Sequence, residues 1–327
     1  MRVLITGGAG FIGANLTREL TERSIGVSIL DDLSTGRPSN LHGLDAEFTL
    51  GTILDIDQLT TLAAGVDAIV HLAARSSVPR SINDPLASHH ANATGTLNVL
   101  EAARRVGGRH VIMASSSSVY GANAELPKRE SAATRPMSPY AASKLAAEAY
   151  ALAYGTSFGL STLAFRFFNV FGPLQPAGHV YAAVIPAFVD AALRGRPITV
   201  HGDGTQSRDF THVSTVCRTI ASALENRTSS PDPVNLAFGS RITLNEILAM
   251  IADRVDEPLI VTNTENRAGD VPHSQADPSQ LRRLFGDVEP KDFAEGLDET
   301  IEWMRSEIAQ ESATIDLSSG EQSKQAT

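Results

Sequence analysis

The chain has 327 residues, 42% hydrophobic and 20% charged, and its 27 basic against 37 acidic side chains give a net charge of −10. That balance repels phosphate backbones at long range, which sets nucleic acid aside; an anionic ligand must be held by a few placed arginines and backbone N–H groups. One cysteine, Cys217, excludes an internal disulfide and a cysteine-ligated zinc site, and no apolar run approaches the ~18 residues of a membrane span.

Strand and helix signals alternate through the first half. RVLIT (2–6) is followed by a helical stretch from Phe11 to about Ser24 and by VSILD (27–31). AIVHLA (68–73) precedes a helix over about 86–106 and then HVIMAS (110–115), while the helical stretch 138–155 leads into STLAFR (161–166). The N-terminus enters a strand at once with no signal peptide, which predicts a cytoplasmic protein. The strands are near-continuous apolar runs, as expected where helices cover both faces of a sheet. Alternation at this spacing predicts an α/β fold: a Rossmann-type doubly wound parallel sheet with a smaller C-terminal α/β substrate domain.

After Asn169 the elements shorten. Helices are expected near 181–194, 214–225, 243–254, 278–285 and 292–307, with strands at 198–202 and 234–238. The expected organisation is a dinucleotide-binding domain over 1–168, to which the chain returns around 210–238, a substrate domain over 169–310, and a mobile polar tail over 311–327. Cys217 falls on an apolar helix face and reads as core filler. The nine histidines show no metal-ligand spacing, so no metal is expected, and His89 and His90 read as exposed helix residues.

Between the first strand and the first helix lies TGGAGFIGANL (6–16), with Gly7, Gly10 and Gly13 in G-x-x-G-x-x-G spacing. The first glycine permits a tight turn, the second lets a pyrophosphate approach the backbone, and the third allows close helix–strand packing. Asp31, closing the second strand, is placed to accept both hydroxyls of an adenosine ribose and to repel a 2′-phosphate, which selects NAD over NADP. Asp32 reads equally as a turn residue or a cofactor contact. Phe11, Ile12, Thr52, Ile53, Leu72, Ala73, Ala74 and Asn92 are the further expected cofactor contacts.

PYAASK places Tyr140 and Lys144 four apart, on one face of a helix. A phenol with a reference pKa near ~10 is a poor base at neutral pH, and a neighbouring ammonium and a cationic nicotinamide ring would lower it. SSSS (115–118) ends a central strand, where a doubly wound sheet binds its ligand, so these hydroxyls are expected to line the site.

The glycine fingerprint, a strand-end serine about two dozen residues before Tyr-x-x-x-Lys, and the length together resemble an extended short-chain dehydrogenase/reductase acting on nucleotide sugars. The blocks HLAARSSVPRSINDP, NATGTLNVLEAA, SPYAASK, RFFNVFGP, YAAVIPAF, GDGTQSRDFTHV and GDVPHSQAD resemble the UDP-N-acetylglucosamine 4-epimerase branch. The resemblance implies Ser116, Tyr140 and Lys144 as catalytic residues, with Tyr140 the base and Lys144 its electrostatic partner. It implies Asn169, Arg208, Arg267 and Asp270 around the uridine diphosphate, and Ser76, Ser77, Ser117, Ser118, Val184, Val200 and Ser274 around the substrate. Ser117 and Ser118 stand where dehydratases of the family carry an Asp-Glu pair. Thr52 replaces an aspartate usual in relatives, and Ser76 a lysine of glucose-type epimerases. The implied reaction inverts C4 of a UDP-hexose through a 4-keto sugar, with UDP-GlcNAc and UDP-GalNAc as the pair. UDP-glucose or UDP-uronic acid epimerisation is the alternative; net reduction or decarboxylation of a keto intermediate, or a non-catalytic NAD-binding role, lies further off. A homodimer through the helices at 86–106 and 138–155 is expected.

Overall fold

A computed structural model describes residues 1–177, 182–265 and 271–324. Strands β1 (Arg2–Thr6), β2 (Gly26–Asp31), β3 (Ala46–Leu50), β4 (Ala68–His71), β5 (His110–Ser116) and β6 (Thr162–Phe167) alternate with helices α1 (Phe11–Glu22), α2 (Ile56–Ala64), α3 (Val78–Asn83), α4 (Pro85–His89), α5 (Gly95–Arg105) and α6 (Pro139–Phe158). The smaller lobe adds β7 (Asn169–Phe171), α7 (Val184–Leu193), β8 (Ile198–His201), β9 (Ser207–Arg208) and β10 (Phe210–His212). Then follow α8 (Val213–Glu225), β11 (Val234–Leu236), β12 (Ile242–Thr243), α9 (Leu244–Ala252), β13 (Val261–Thr264), α10 (Ser279–Leu284) and α11 (Phe293–Lys324).

Seven strands form one parallel sheet in the order β11-β6-β5-β4-β1-β2-β3. Strand alternation divides its core: Val3 and Ile5 of β1 join the α1 and α8 side, and Leu4 joins the side of α2, α5 and α6. Cys217 is buried among the α8 residues of the first core, where burial pushes its thiol up. The chain comes back to the sheet through α8, packed on α1, and through β11, which pairs with β6. A separate core gathers Ile185, Phe188 and Val189 of α7 with Ile247 and Ile251 of α9 and Leu297 and Ile301 of α11.

Three departures from the sequence reading have local causes. Strand β3 was not expected: it is an edge strand whose Phe48 and Leu50 stay exposed, so its sequence AEFTL lacks a continuous apolar run. The helix expected over 86–106 is interrupted by a π turn at His90–Thr94, which turns Asn92 into the interior. At the C-terminus α11 continues to Lys324 instead of stopping near 307. Helix α6 begins at the Ser138 cap, with Pro139 in its first turn, and ends at Gly159, whose φ of 64° suits a glycine.

Candidate active site

A cleft of about 1640 Å³ runs from the glycine turn, past the C-terminal ends of β4 and β5, to β9 of the smaller lobe. Its first wall is the turn between β1 and α1. Gly7 holds φ at 77° and lies so close to β4's continuation that a Cβ would meet Ala73 N at 2.6 Å. A Cβ on Gly13 would stand 2.3 Å from Gly7 O, so α1 reaches the strand only through a bare backbone. The bare turn and the open N-terminus of α1 fit a dinucleotide pyrophosphate. Asp31 is buried at the end of β2, its Oδ2 accepting from Ala9 N at 2.9 Å and its Oδ1 from Leu33 N at 2.8 Å. Burial raises its pKa, and those two N–H groups pull it back. Gly10, Phe11, Ile12, Asp32, Thr52, Ile53, Leu72, Ala73 and Ala74 also line this end.

Asn92 does not line the cleft; it shapes it. Its Oδ1 accepts from Arg75 N at 2.7 Å, and its Nδ2 donates to Arg75 O at 3.2 Å and to Ser143 Oγ at 2.9 Å. Ser143 Oγ in turn donates to Tyr140 O at 2.8 Å, so the π turn ties the loop after β4 to the first turn of α6. Arg75 of this loop, Arg80 of α3 and His90 of the π turn also line the cleft, and the sequence reading gave none of the three a place in the site. His89 and His90 are exposed as expected.

The four serines have separate tasks. Ser115 is buried and donates to Glu148 Oε2 at 2.7 Å. Ser116 Oγ accepts from Ser118 N at 3.2 Å and from Ser118 Oγ at 2.9 Å, and it shares a hydrogen bond with the Tyr140 hydroxyl. With its lone pairs engaged by Ser118, the Ser116 proton is left for Tyr140 or a substrate oxygen. Ser117 and Ser118 open a 3₁₀ turn and are not among the lining residues, in contrast to the expected contact with substrate. Tyr140 and Lys144 both face the cleft. Burial raises the Tyr140 phenol and the Ser116 hydrogen bond opposes it, whereas the sequence reading expects Lys144 to lower it. Burial lowers Lys144 to about 8, opposed by the Glu148 carboxylate, so the ammonium persists at neutral pH.

On the substrate side, Ser76, Asn169, Val184 and Arg208 line the cleft. Ser77 instead caps α3, with φ at 100° and its Oγ accepting from Arg80 N at 3.4 Å. Val200 is buried in the core of the smaller lobe and does not line the cleft, whereas its β8 neighbours Ile198, Thr199 and His201 do. Ser274 lies behind the wall, its N–H donating to Ser207 O at 3.0 Å, next to Arg208. Arg267 and Asp270 lie outside the described residues. Asp209, which the motif reading passed over, is fully buried and ties these pieces together. It accepts from Gly239 N, Ser240 N, Ser240 Oγ and Ala276 N, while its own carbonyl accepts from Asn169 N and Nδ2. Burial raises its carboxyl to about 6 against those donors.

Known proteins resemble the chain over most of its length. Residues 3–237 match the model of the NAD dependent epimerase/dehydratase family. A UDP-glucose 4-epimerase of Mycolicibacterium smegmatis is 37% identical over 94% of this chain and 99% of its own. Among solved structures, the UDP-N-acetylglucosamine 4-epimerase of Methanobrevibacter ruminantium, in complex with UDP-N-acetylmuramic acid, superposes with a TM-score of 0.89 at 36% identity, covering 94% of this chain and 98% of that one. The Thermus thermophilus UDP-glucose 4-epimerase in complex with NAD gives 0.84 at 34% identity, covering 93% and 99%.

Proposed function

The chain belongs to the NAD dependent epimerase/dehydratase family and is a UDP-sugar 4-epimerase, and from that premise we propose that it interconverts UDP-N-acetylglucosamine and UDP-N-acetylgalactosamine. The observation that carries the reaction is the convergence of Ser116, Tyr140 and Lys144 on one cleft with the glycine turn. Bound at that turn, NAD supplies reversible hydride chemistry at C4 of the sugar. Tyr140 takes the proton of the C4 hydroxyl and returns it after the flat 4-keto sugar has turned over. Lys144 stabilises the phenolate, Ser116 donates to the C4 oxygen, and Arg208 and Asn169 hold the diphosphate end while the sugar rotates.

Support for the acetylated pair comes from Ser274, joined through its backbone N–H to Ser207, the neighbour of Arg208. At this position the resemblance places a tyrosine in restricted hexose epimerases, and that longer side chain is the one expected to reach the cleft from behind the wall. A tyrosine ring there occupies volume an acetamide needs, and overfilling a packed site costs ~1–3 kcal/mol, roughly one to two powers of ten in rate. Ser274→Tyr is therefore expected to suppress UDP-GlcNAc and UDP-GalNAc turnover and to spare UDP-glucose, read by separating the epimers. Equal losses on both classes would refute the steric argument. UDP-glucose as the natural substrate is the second reading, favoured by the name of the Mycolicibacterium relative. Parallel kcat/KM values on unmodified protein decide between them.

The same reading includes a homodimer. Ile82, Leu86, Tyr150 and Phe158 are exposed on α3, α4 and α6, which pack against one another. Light scattering at micromolar concentration is expected to return twice the 34.7 kDa chain mass; a monomeric mass would exclude this interface. Among the described residues, no helix is long and apolar enough to cross a membrane.

A further inference from the structure

Ser115 and Arg166 are cross-strand partners on β5 and β6, so their side chains leave the same face of the sheet. Both end on Glu148, one helical turn beyond Lys144 on α6. Glu148 Oε2 accepts from Ser115 Oγ at 2.7 Å and from Arg166 Nε at 2.9 Å, and Oε1 accepts from Arg166 Nη2 at 2.6 Å. The Arg166 and Glu148 side chains are only 4% and 3% exposed. Arg166 is held further by Glu130 O at 3.1 Å and by the Tyr120 ring, 4.7 Å from its Cζ, and the Tyr120 hydroxyl donates to Asn235 Oδ1 at 2.6 Å. Replacing a buried ion pair by apolar residues is often neutral or stabilising, so stability alone does not account for this one.

We propose that Glu148, anchored by Arg166 and Ser115, is a positioning residue of the active site that holds α6 at the height of Ser116 and keeps the Lys144 ammonium charged beside Tyr140. The inference rests on Tyr140 and Lys144 being the catalytic pair. Ser115 is the neighbour of Ser116, so one carboxylate sets both the strand end and the helix that meet in the cleft. The titratable groups facing Lys144 are Glu148 and Tyr140, one turn after and one turn before it on its own helix, and His71 from β4, with Arg166 of β6 behind Glu148. His71 adds no charge: burial and the Lys144 charge lower it to about 3, and it lies between Thr6 Oγ1 at 2.7 Å and Thr96 Oγ1 at 2.9 Å. Glu148 is thus the anion that opposes burial of Lys144.

The sign follows from this. Lys144 is charged below about 8 and loses its proton above, so removing the Glu148 charge moves that loss to lower pH. The test is the pH profile of kcat and KM for the full chain with its NAD, using both UDP-GlcNAc and UDP-glucose. NAD content and circular dichroism are followed in parallel. Glu148→Gln is expected to move the alkaline limb of kcat down by about one pH unit, a roughly tenfold loss at fixed alkaline pH, with KM little changed. Ser115→Ala is expected to lower kcat several-fold without moving the limb. If Glu148→Gln does not fold, the Glu148→Gln/Arg166→Gln double variant, which leaves no unpaired buried charge, carries the test and is expected to move the limb by less. Limbs that superimpose on the parent in every folded Glu148 variant would overturn the proposal. Lys144→Met separates it from the reading beneath: full activity there would overturn the catalytic pair itself, whereas an inactive Lys144→Met with unshifted Glu148 variants would overturn only the role of Glu148.

Discussion

Tyr140→Phe is expected to lower turnover by about 10²–10⁴, the usual loss on deleting a positioned base, while leaving the fold and the NAD content unchanged. The ring remains and fills the same half-buried place at the start of α6, so packing is preserved. Only the hydroxyl that meets Ser116 is removed. Among the described residues no second phenol lines the cleft: Tyr120 is buried and donates to Asn235, Tyr150 is exposed on α6, and Tyr154 sits near the far end of α6 against Glu101. Measured as epimer formation from UDP-GlcNAc and from UDP-glucose, a residual rate above a tenth of the parent would remove Tyr140 from the chemistry.

Gly13→Val is expected to yield a protein that no longer retains its dinucleotide. The Cβ alone would lie 2.3 Å from Gly7 O and 2.6 Å from Gly8 Cα, both backbone atoms that cannot swing aside as a side chain could. Relief requires α1 to move off β1, which opens the turn that faces the pyrophosphate. Overpacking costs ~1–3 kcal/mol, so NAD retention weakens roughly ten- to a hundredfold. Gly65→Ala is the matched control, because its Cβ would meet nothing closer than Leu62 O at 3.7 Å. The nucleotide released on denaturation, quantified for both variants, checks this; equal NAD in the two would show that the close approach is dispensable.

What was legible in the sequence follows from distance along the chain. The glycine turn, Asp31 and the Tyr140–Lys144 pair are each written within a few residues, where strand, turn and helix signals constrain one another. Residues whose role depends on a partner far away were not legible. Asp209 gathers donors from Gly239, Ser240 and Ala276, and Glu148 gathers Ser115 and Arg166. Each reads locally as one more carboxylate. Ser117, Ser118 and Val200 do not line the cleft for a related reason: a motif gives the neighbourhood, but the turn after β5 and the packing of β8 into the smaller lobe's core decide which side chains reach it.

The parallel sheet and its dinucleotide turn were therefore determined by the sequence alone, because apolar runs and glycine spacing act through local sterics and burial. The tertiary structure alone decided how the four serines divide their work, why the helix before β5 needs a π turn, and which carboxylate stands behind Lys144. Apart from the local bonds between Ser118 and Ser116, those outcomes depend on hydrogen bonds between β5, β6, α6 and the loop after β4, whose partners lie too far apart for any short window of sequence.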